Sequence, residues 1–309
     1  MSIPLRMAFV GQSTFFEACA LPDGAAPGVA TRFVEFRKDG DVGVMRAQLD
    51  AFAPDVVVVF RPEVLPPGAL TGVDAAVLGF LTEPIPREAS GAARHEDLER
   101  RLWELRHVDA SNVDRVVTFD PHIAQTADEL LPVWRSLPLP VSDRYFGDVA
   151  PITGDPKVVF VGRSTRHREK MLAPAKHQHD VLHLAFGVDA AELERVMAGH
   201  QVAVNVHNEP YPSFENRVCL HLAAGHLVLS EELSPQHGLE PGVDYVTFQR
   251  PWQLGDMLTT LRRFPGLWHA VRVRGRRKAE TYRASRVYPR LAHDLLADLR
   301  AHGSPRHPA

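Results

Sequence analysis

The chain has 309 residues, 45% of them hydrophobic and 24% charged, with a net charge of −3. Such a length suits two domains of roughly 150 residues, and the composition is too apolar for a disordered chain. No apolar run approaches the ~20 residues of a membrane span, the first ten residues lack a signal peptide's layout, and the two cysteines, Cys19 and Cys219, are too few for a disulfide framework or a thiolate zinc site.

A soluble cytoplasmic protein with both thiols buried is the expectation. Charge is unevenly divided: residues 1–150 sum to −8 and residues 151–309 to +5. The second half is therefore the expected seat of an anionic ligand.

Short runs rich in Val and Phe, separated by helix-length stretches, recur along the chain, as in βαβ units built on a buried parallel sheet. The first half predicts strands at 7–10, 32–36, 55–60, 76–81 and 115–119. Leu98, Leu102 and Leu105 fall at helical spacing with charges on the other face, which predicts a helix over 95–108. The run Leu137-Pro138-Leu139-Pro140-Val141 cannot continue a helix, because proline lacks an amide hydrogen and biases its predecessor toward extended backbone. It is read as the crossing between domains.

The pattern then restarts, with strands at 157–161, 181–186, 202–206, 226–230 and 245–248, helices from 252 to about 301, and a Pro/His-rich tail after Gly303 expected to fray. The resulting fold class is α/β, with two Rossmann-like doubly wound domains over 1–140 and 141–280 and a terminal helix and tail over 281–309. An internal echo fits this division: Phe9-Val10-Gly11-Gln12-Ser13-Thr14 is matched by Phe160-Val161-Gly162-Arg163-Ser164-Thr165.

In an open parallel sheet, ligands sit beyond the carboxyl ends of the strands, where loops lead into helix amino termini and unpaired amides favour anions. Gly162-Arg163-Ser164-Thr165-Arg166-His167-Arg168 occupies that place. Glycine allows close backbone approach and arginine offers forked donors matched to phosphate oxygens. The dinucleotide fingerprint and the P-loop are both absent, and the alternative is a solvated basic helix start. Further on, a strand ends in Asn205 and His207, a loop broken by Pro210 and Pro212 follows, and Ser213 is expected to cap a helix through Glu215, Asn216 and Arg217 that stops at Gly225. The next strand closes on Glu231 and Glu232.

These residues resemble the donor-binding domain of bacterial GT-B glycosyltransferases, particularly the CgeB-like and group 1 families. Asn205, Arg217, Ala223, Gly225 and Glu231 match the family's pattern of strand-ending Asn, Arg before a short apolar helix, small residue, glycine and strand-ending acid. Val161, Gly162, Arg163 and Arg168 resemble its strand, glycine and Arg-bearing loop. The likeness covers about 157–250, and the first half only in its strand order. It implies two domains facing a central cleft, a terminal helix crossing between them, and a nucleotide-diphosphate sugar as co-substrate. Gly162, Arg163 and Arg168 would then lie on the diphosphate, with Glu215 or Glu231 on nucleoside or sugar hydroxyls. One departure stands out. Retaining members place a glutamate five residues before the helix-ending glycine and a partner eight residues earlier, where this chain has Leu220 and Pro212. Neither the retaining nor the inverting outcome is therefore carried over.

In the acceptor half, Gly11, Gln12 and Ser13 are expected at the ligand cleft. Arg61, Glu63 and His122 also stand at strand ends, and Glu83 and Asp120 are the candidate bases, against a role as helix caps or solvated loop charges. No Asp-x-Asp triplet occurs, and His177, His179, Asp180 and His183 are read as a surface turn, so neither a metal nor any other cofactor is expected. The basic run Arg272-Val273-Arg274-Gly275-Arg276-Arg277-Lys278 is read as a solvated face packed across the two domains, with no nucleic-acid partner. Transfer of a sugar to an unidentified hydroxyl acceptor is the leading functional expectation. The alternatives are a nucleotide-sugar epimerase on the same scaffold and a catalytically silent sugar-nucleotide or partner-binding protein.

Overall fold

Val56, Val57, Val58 and Val59 are each at most 1% exposed, as β-branched side chains covered on both faces of a sheet must be. They belong to β3 in a computed structural model that describes residues 3–87, 95–185 and 188–306. The chain divides into one unit of Met1–Asp143 with Arg283–Ala309 and a second of Arg144–Tyr282.

The first unit contains β1 (Leu5–Gly11), α1 (Ser13–Phe16), β2 (Val29–Glu35), α2 (Val42–Phe52), β3 (Val56–Phe60), β4 (Ala76–Leu81), α3 (Glu96–Leu105), β5 (Arg115–Thr118), α4 (Ala124–Asp128) and β6 (Val133–Ser136). Its strands pair in parallel in the order β2-β1-β3-β4-β5-β6. The edge strand β6 is absent from the sequence reading. It is short, half exposed and joined to β5 through a register irregularity, so its residues carry no buried apolar run.

The second unit contains β7 (Val158–Val161), α5 (Arg166–Gln178), β8 (Val181–Leu184), α6 (Ala190–Gly199), β9 (Val202–Asn205), α7 (Arg217–Ala223), β10 (Leu227–Ser230), β11 (Val246–Thr247), α8 (Pro251–Arg263) and α9 (His269–Ala279). The order is β11-β10-β9-β7-β8, again parallel. The predicted end of the second strand of this unit, Phe186, lies outside the described residues. Both sheets thus repeat one winding, in which the first strand lies between the second and the third. The echo between Phe9–Thr14 and Phe160–Thr165 falls at the end of that first strand in each, beside the switch point where open α/β sheets bind ligands.

Three expectations change. The helix expected from Ser213 begins at Arg217; Ser213 instead forms an isolated bridge with Leu233 and donates its hydroxyl to His207 Nδ1 at 3.0 Å, which holds that backbone extended. The tail after Gly303 is anchored as far as Arg306, whose guanidinium donates to the carbonyls of Ala75 (2.8 Å) and Leu70 (2.7 Å) and lies 3.3 Å from Asp114. Residues 307–309 lie outside the described residues. Cys219 is buried but Cys19 only partly so, and neither forms a disulfide.

The last helix, α10 (Ala284–His302), belongs to the first unit, where Tyr288 meets the Phe9 ring edge-on at 4.8 Å and donates to the Cys19 carbonyl. In α9 the basic run resolves into clamps on backbone of its own unit: Arg272 donates to Gly225 and Ala150, Arg274 to Val243, and Arg276 to Gly147. Among the described residues no helix is long and apolar enough to cross a membrane.

Candidate functional site

At the switch point of the second sheet, between β7 and β9, one buried and one partly buried arginine share a carboxylate. Arg217 Nη2 donates to Glu215 Oε2 at 2.8 Å, and Arg168 Nη2 lies 3.4 Å from Glu215 Oε1. Arg168 is 2% exposed and also donates to the carbonyls of Val206 and Arg163, while Arg217 reaches Val206 and Asn205 Oδ1. Both guanidinium carbons stand over the Phe160 ring, at 5.5 and 5.4 Å from its centroid, a cation–π arrangement. Burial, and then repulsion from Arg217, pull the Arg168 pKa down to about 9, so the group stays cationic at neutral pH. For Glu215, burial pushes upward but Arg217 and Arg168 together pull the carboxyl below its usual range.

Gly162 is why the pair fits. Its φ is +152°, and a Cβ there would stand 3.2 Å from Arg168 Nη1 and 3.3 Å from Arg217 Nη2. His183 Nε2 donates to the Gly162 carbonyl at 2.8 Å and accepts from Lys176 at Nδ1. The sequence places His183 in a surface turn; it lies in β8 and braces the Gly162 loop. Among the described residues no group of three or more His, Cys, Asp or Glu side chains is placed to hold a metal ion.

Above this floor the loop is open. Arg163 is exposed, with Nε donating to Asn208 Oδ1 at 3.1 Å. Thr165 caps α5 by accepting from the Arg168 amide and fastens its hydroxyl to the Asn208 carbonyl. The cap satisfies one of the four amides that a helix start leaves without an internal partner, and an anion can take others. His167, in the first turn of α5, donates to Glu231 at 2.9 Å, and Glu231 also accepts from the His207 amide at 2.7 Å. Neither histidine partner of Glu231 was evident from local sequence, because α5 and β9 reach β10 only through the sheet.

The predicted donor residues thus converge, but with unequal access. Gly162, Arg163, Asn205, Arg168, Glu215, Arg217 and Glu231 surround one strand edge. Asn205 is fully buried, donating to Ser230 Oγ at 2.9 Å, and so ties β9 to β10. Glu215 holds the arginines. Asn216 stands at the start of α7 with its Oδ1 buried and without a partner. Leu220 is a core residue of α7, so the family's glutamate position lies in apolar packing here.

In the first unit, Gly11, Gln12 and Ser13 occupy the equivalent switch point. A Cβ on Gly11 would stand 3.1 Å from Phe60 Cβ, and the Ser13 amide donates to Glu35 at 2.8 Å. The two candidate bases differ. Asp120 is 3% exposed, accepts from the His122 amide and pairs with Arg87 at 2.8 Å, because it caps the turn after β5. Glu83 keeps a third of its side chain exposed, beside Arg101 and 3.8 Å from Arg61.

No protein-family model matches the chain, and no curated protein sequence does. Its architecture, however, matches solved structures across nearly its whole length. HepE from Anabaena, solved with UDP and glucose, aligns at a TM-score of 0.58 and 12% identity, over 95% of this chain and 100% of that one. The fold is the GT-B glycosyltransferase fold. Sucrose-phosphate synthase from Thermosynechococcus elongatus aligns at 0.59 and 12% identity, over 95% and 99% of the two chains. A glycosyltransferase from Rickettsia africae aligns at 0.54 and 10% identity, over 96% and 99%. Identities this low establish the GT-B fold alone, and a fold does not fix an activity.

Proposed function

We propose that the chain is a glycosyltransferase that binds a nucleotide-diphosphate sugar at the β7 switch point and passes the sugar to a hydroxyl acceptor. The observation that carries this reading is the Gly162 loop, where exposed Arg163 and the α5 amino terminus stand over the Arg168–Glu215–Arg217 cluster. As the bond between sugar and diphosphate breaks, negative charge grows on the leaving phosphate, and fixed cations and helix amides that already face it lower the barrier. Arg163 and the amides of Arg166 and His167 contact the diphosphate, while Arg168 and Arg217 act as a buried positive floor. These cations take the part a metal plays elsewhere, so the reaction runs without one. Glu231, oriented by His167, accepts from a donor hydroxyl. Glu83 takes the acceptor proton in preference to Asp120, whose oxygens hold Arg87 and the turn.

Because HepE was solved with UDP-glucose, a uridine diphosphate sugar is the first donor to try. The test is thermal unfolding against UDP, GDP, ADP, TDP and CDP, since a ligand selective for the native state raises the midpoint. Arg163→Ala is the informative variant, because Arg163 is exposed whereas removing buried Arg168 would disturb the loop itself. A rise with one diphosphate, lost in Arg163→Ala, supports the donor site; no rise at millimolar concentration removes it. Release of that diphosphate from its sugar nucleotide then separates transfer from the non-catalytic binding role that Leu220 favours.

A further inference from the structure

The second unit has a cavity of about 330 Å³ at the opposite end of its sheet from Gly162. Lys157 and Gln201, the residues just before β7 and β9, line it with His200, Ala224 and Arg272. At its wall Arg272 is 4% exposed. Its Nε donates to the Gly225 carbonyl at 3.0 Å and its Nη1 to Ala150 at 2.8 Å. Those two bonds fix the guanidinium plane and leave Nη2 without a hydrogen bond among the described residues. Of the five donors of an arginine fork, several therefore remain for a ligand in the cavity, and a charge-assisted bond to an oxyanion is among the stronger hydrogen bonds. Burial also lowers the Arg272 pKa, a cost that an anionic partner would relieve.

The neighbours favour the same ligand sign at the wall. Lys157 adds an exposed ammonium, whereas His200 spends its Nδ1 proton on the Val196 carbonyl and adds no cation of its own. Asp148 and Asp155 also line the cavity, both at exposed positions, and Asp155 lies 3.2 Å from Arg262. A ligand whose negative charge is concentrated in one group reaches Arg272 while keeping clear of that acidic rim. Room for more than a bare ion remains beside the anionic group.

We propose that this cavity is a second, separate binding site for a small oxyanion, a phosphate or carboxylate group held by Arg272 and Lys157. It does not depend on the donor-site assignment, because Lys157 precedes β7 and Arg272, in α9, bonds Gly225 just before β10, both at the opposite end of the sheet from Gly162.

The test uses the full chain at constant ionic strength, titrated with inorganic phosphate in one arm and citrate in the other, with chloride as the control, and read by calorimetry. Each titration is run on the wild type, Arg163→Ala, Lys157→Ala and Arg272→Gln. Saturable binding of phosphate, citrate or both that persists in Arg163→Ala and weakens about tenfold in Lys157→Ala, the loss of one charged hydrogen bond, is the expected result. Arg272→Gln should weaken it further; should that variant not fold, Lys157→Glu serves instead, since Lys157 is exposed. Binding by neither anion, binding unchanged in the cavity variants, or binding lost only in Arg163→Ala would each overturn the proposal.

Discussion

Arg168, which is buried, and Arg217, which is partly buried, carry like charges on either side of Glu215, 2.8 Å from Arg217 and 3.4 Å from Arg168. One carboxylate therefore offsets two guanidiniums, and the residual positive charge faces the loop at Gly162.

Glu215→Gln should be costly. Removing one partner of a buried ionic cluster leaves uncompensated charge, and with Glu215 a fifth exposed the expected loss is roughly 2–3 kcal/mol. Urea unfolding at pH 7 measures it. The pH dependence has a defined sign: the folded carboxyl sits below its ordinary value, so its stabilisation is present above the unfolded value of about 4.3 and is lost as pH falls through the lower folded one. The variant should lose less stability than the wild type across that acid range.

At Gly162, alanine meets two obstacles, a positive φ and two guanidinium nitrogens at 3.2 and 3.3 Å. The backbone term alone is about 1–3 kcal/mol. Because the displaced groups form the floor of the ligand loop, Gly162→Ala should also abolish the midpoint rise caused by the preferred nucleoside diphosphate. A variant that keeps the full rise would detach the arginine pair from ligand binding.

A buried histidine pair sets a second pH response. His226 Nε2 donates to the Met197 carbonyl, so its Nδ1 accepts from His221 Nδ1 at 3.1 Å, leaving His221 Nε2 buried without a partner among the described residues. Burial lowers His226 to about 4 and, with repulsion from His226, lowers His221 well below its ordinary value. In the unfolded chain both protonate near pH 6.5, so the unfolded state binds more protons and stability falls as pH drops from about 6.5 toward 4. The slope is about 1.4 kcal/mol per pH unit for each histidine. His226→Asn should roughly halve it in urea titrations between pH 4.5 and 7.

Gly275 lets α9 approach the backbone at Asp244. A Cβ there would run into the Asp244 carbonyl oxygen and stand 2.7 Å from Leu222 Cδ2. Gly275→Ala should therefore destabilise the second unit by about 2–3 kcal/mol through overpacking, against the slight gain alanine gives in an open helix. A rise in the thermal midpoint would contradict this packing.

For the proposed transfer, Glu83→Gln should lower kcat by about 10²–10⁴ with the fold intact, the range for loss of a general base. Asp120→Asn should act mainly on stability, because Asp120 pairs with Arg87 and caps a turn. Parallel measurement of kcat and unfolding midpoint distinguishes the two; equal kcat losses at equal stability would return Asp120 to the chemistry.

The inner strands of both sheets were legible in the sequence because fully covered parallel strands must be continuous apolar runs, as in Val56–Phe60 and Val202–Val204, whereas β2 and β8, only partly covered, were legible from their Val, Phe and Leu content. The placement of Gly162–Arg168 after the first strand of the second unit was legible too, because the glycine and the polar run follow directly on an apolar stretch. The resemblance to GT-B glycosyltransferases also put Leu220 where retaining members carry a glutamate. What it does not encode is which polar groups meet. Arg168 and Glu215 are 47 residues apart, and His167 and Glu231 are 64 apart. Only winding the chain so that β7 lies beside β9 brings those pairs within hydrogen-bond reach. That packing also buried Arg168 and left Arg163 exposed, so similar side chains differ in what they can reach, since burial and partners are set by neighbours distant in the chain.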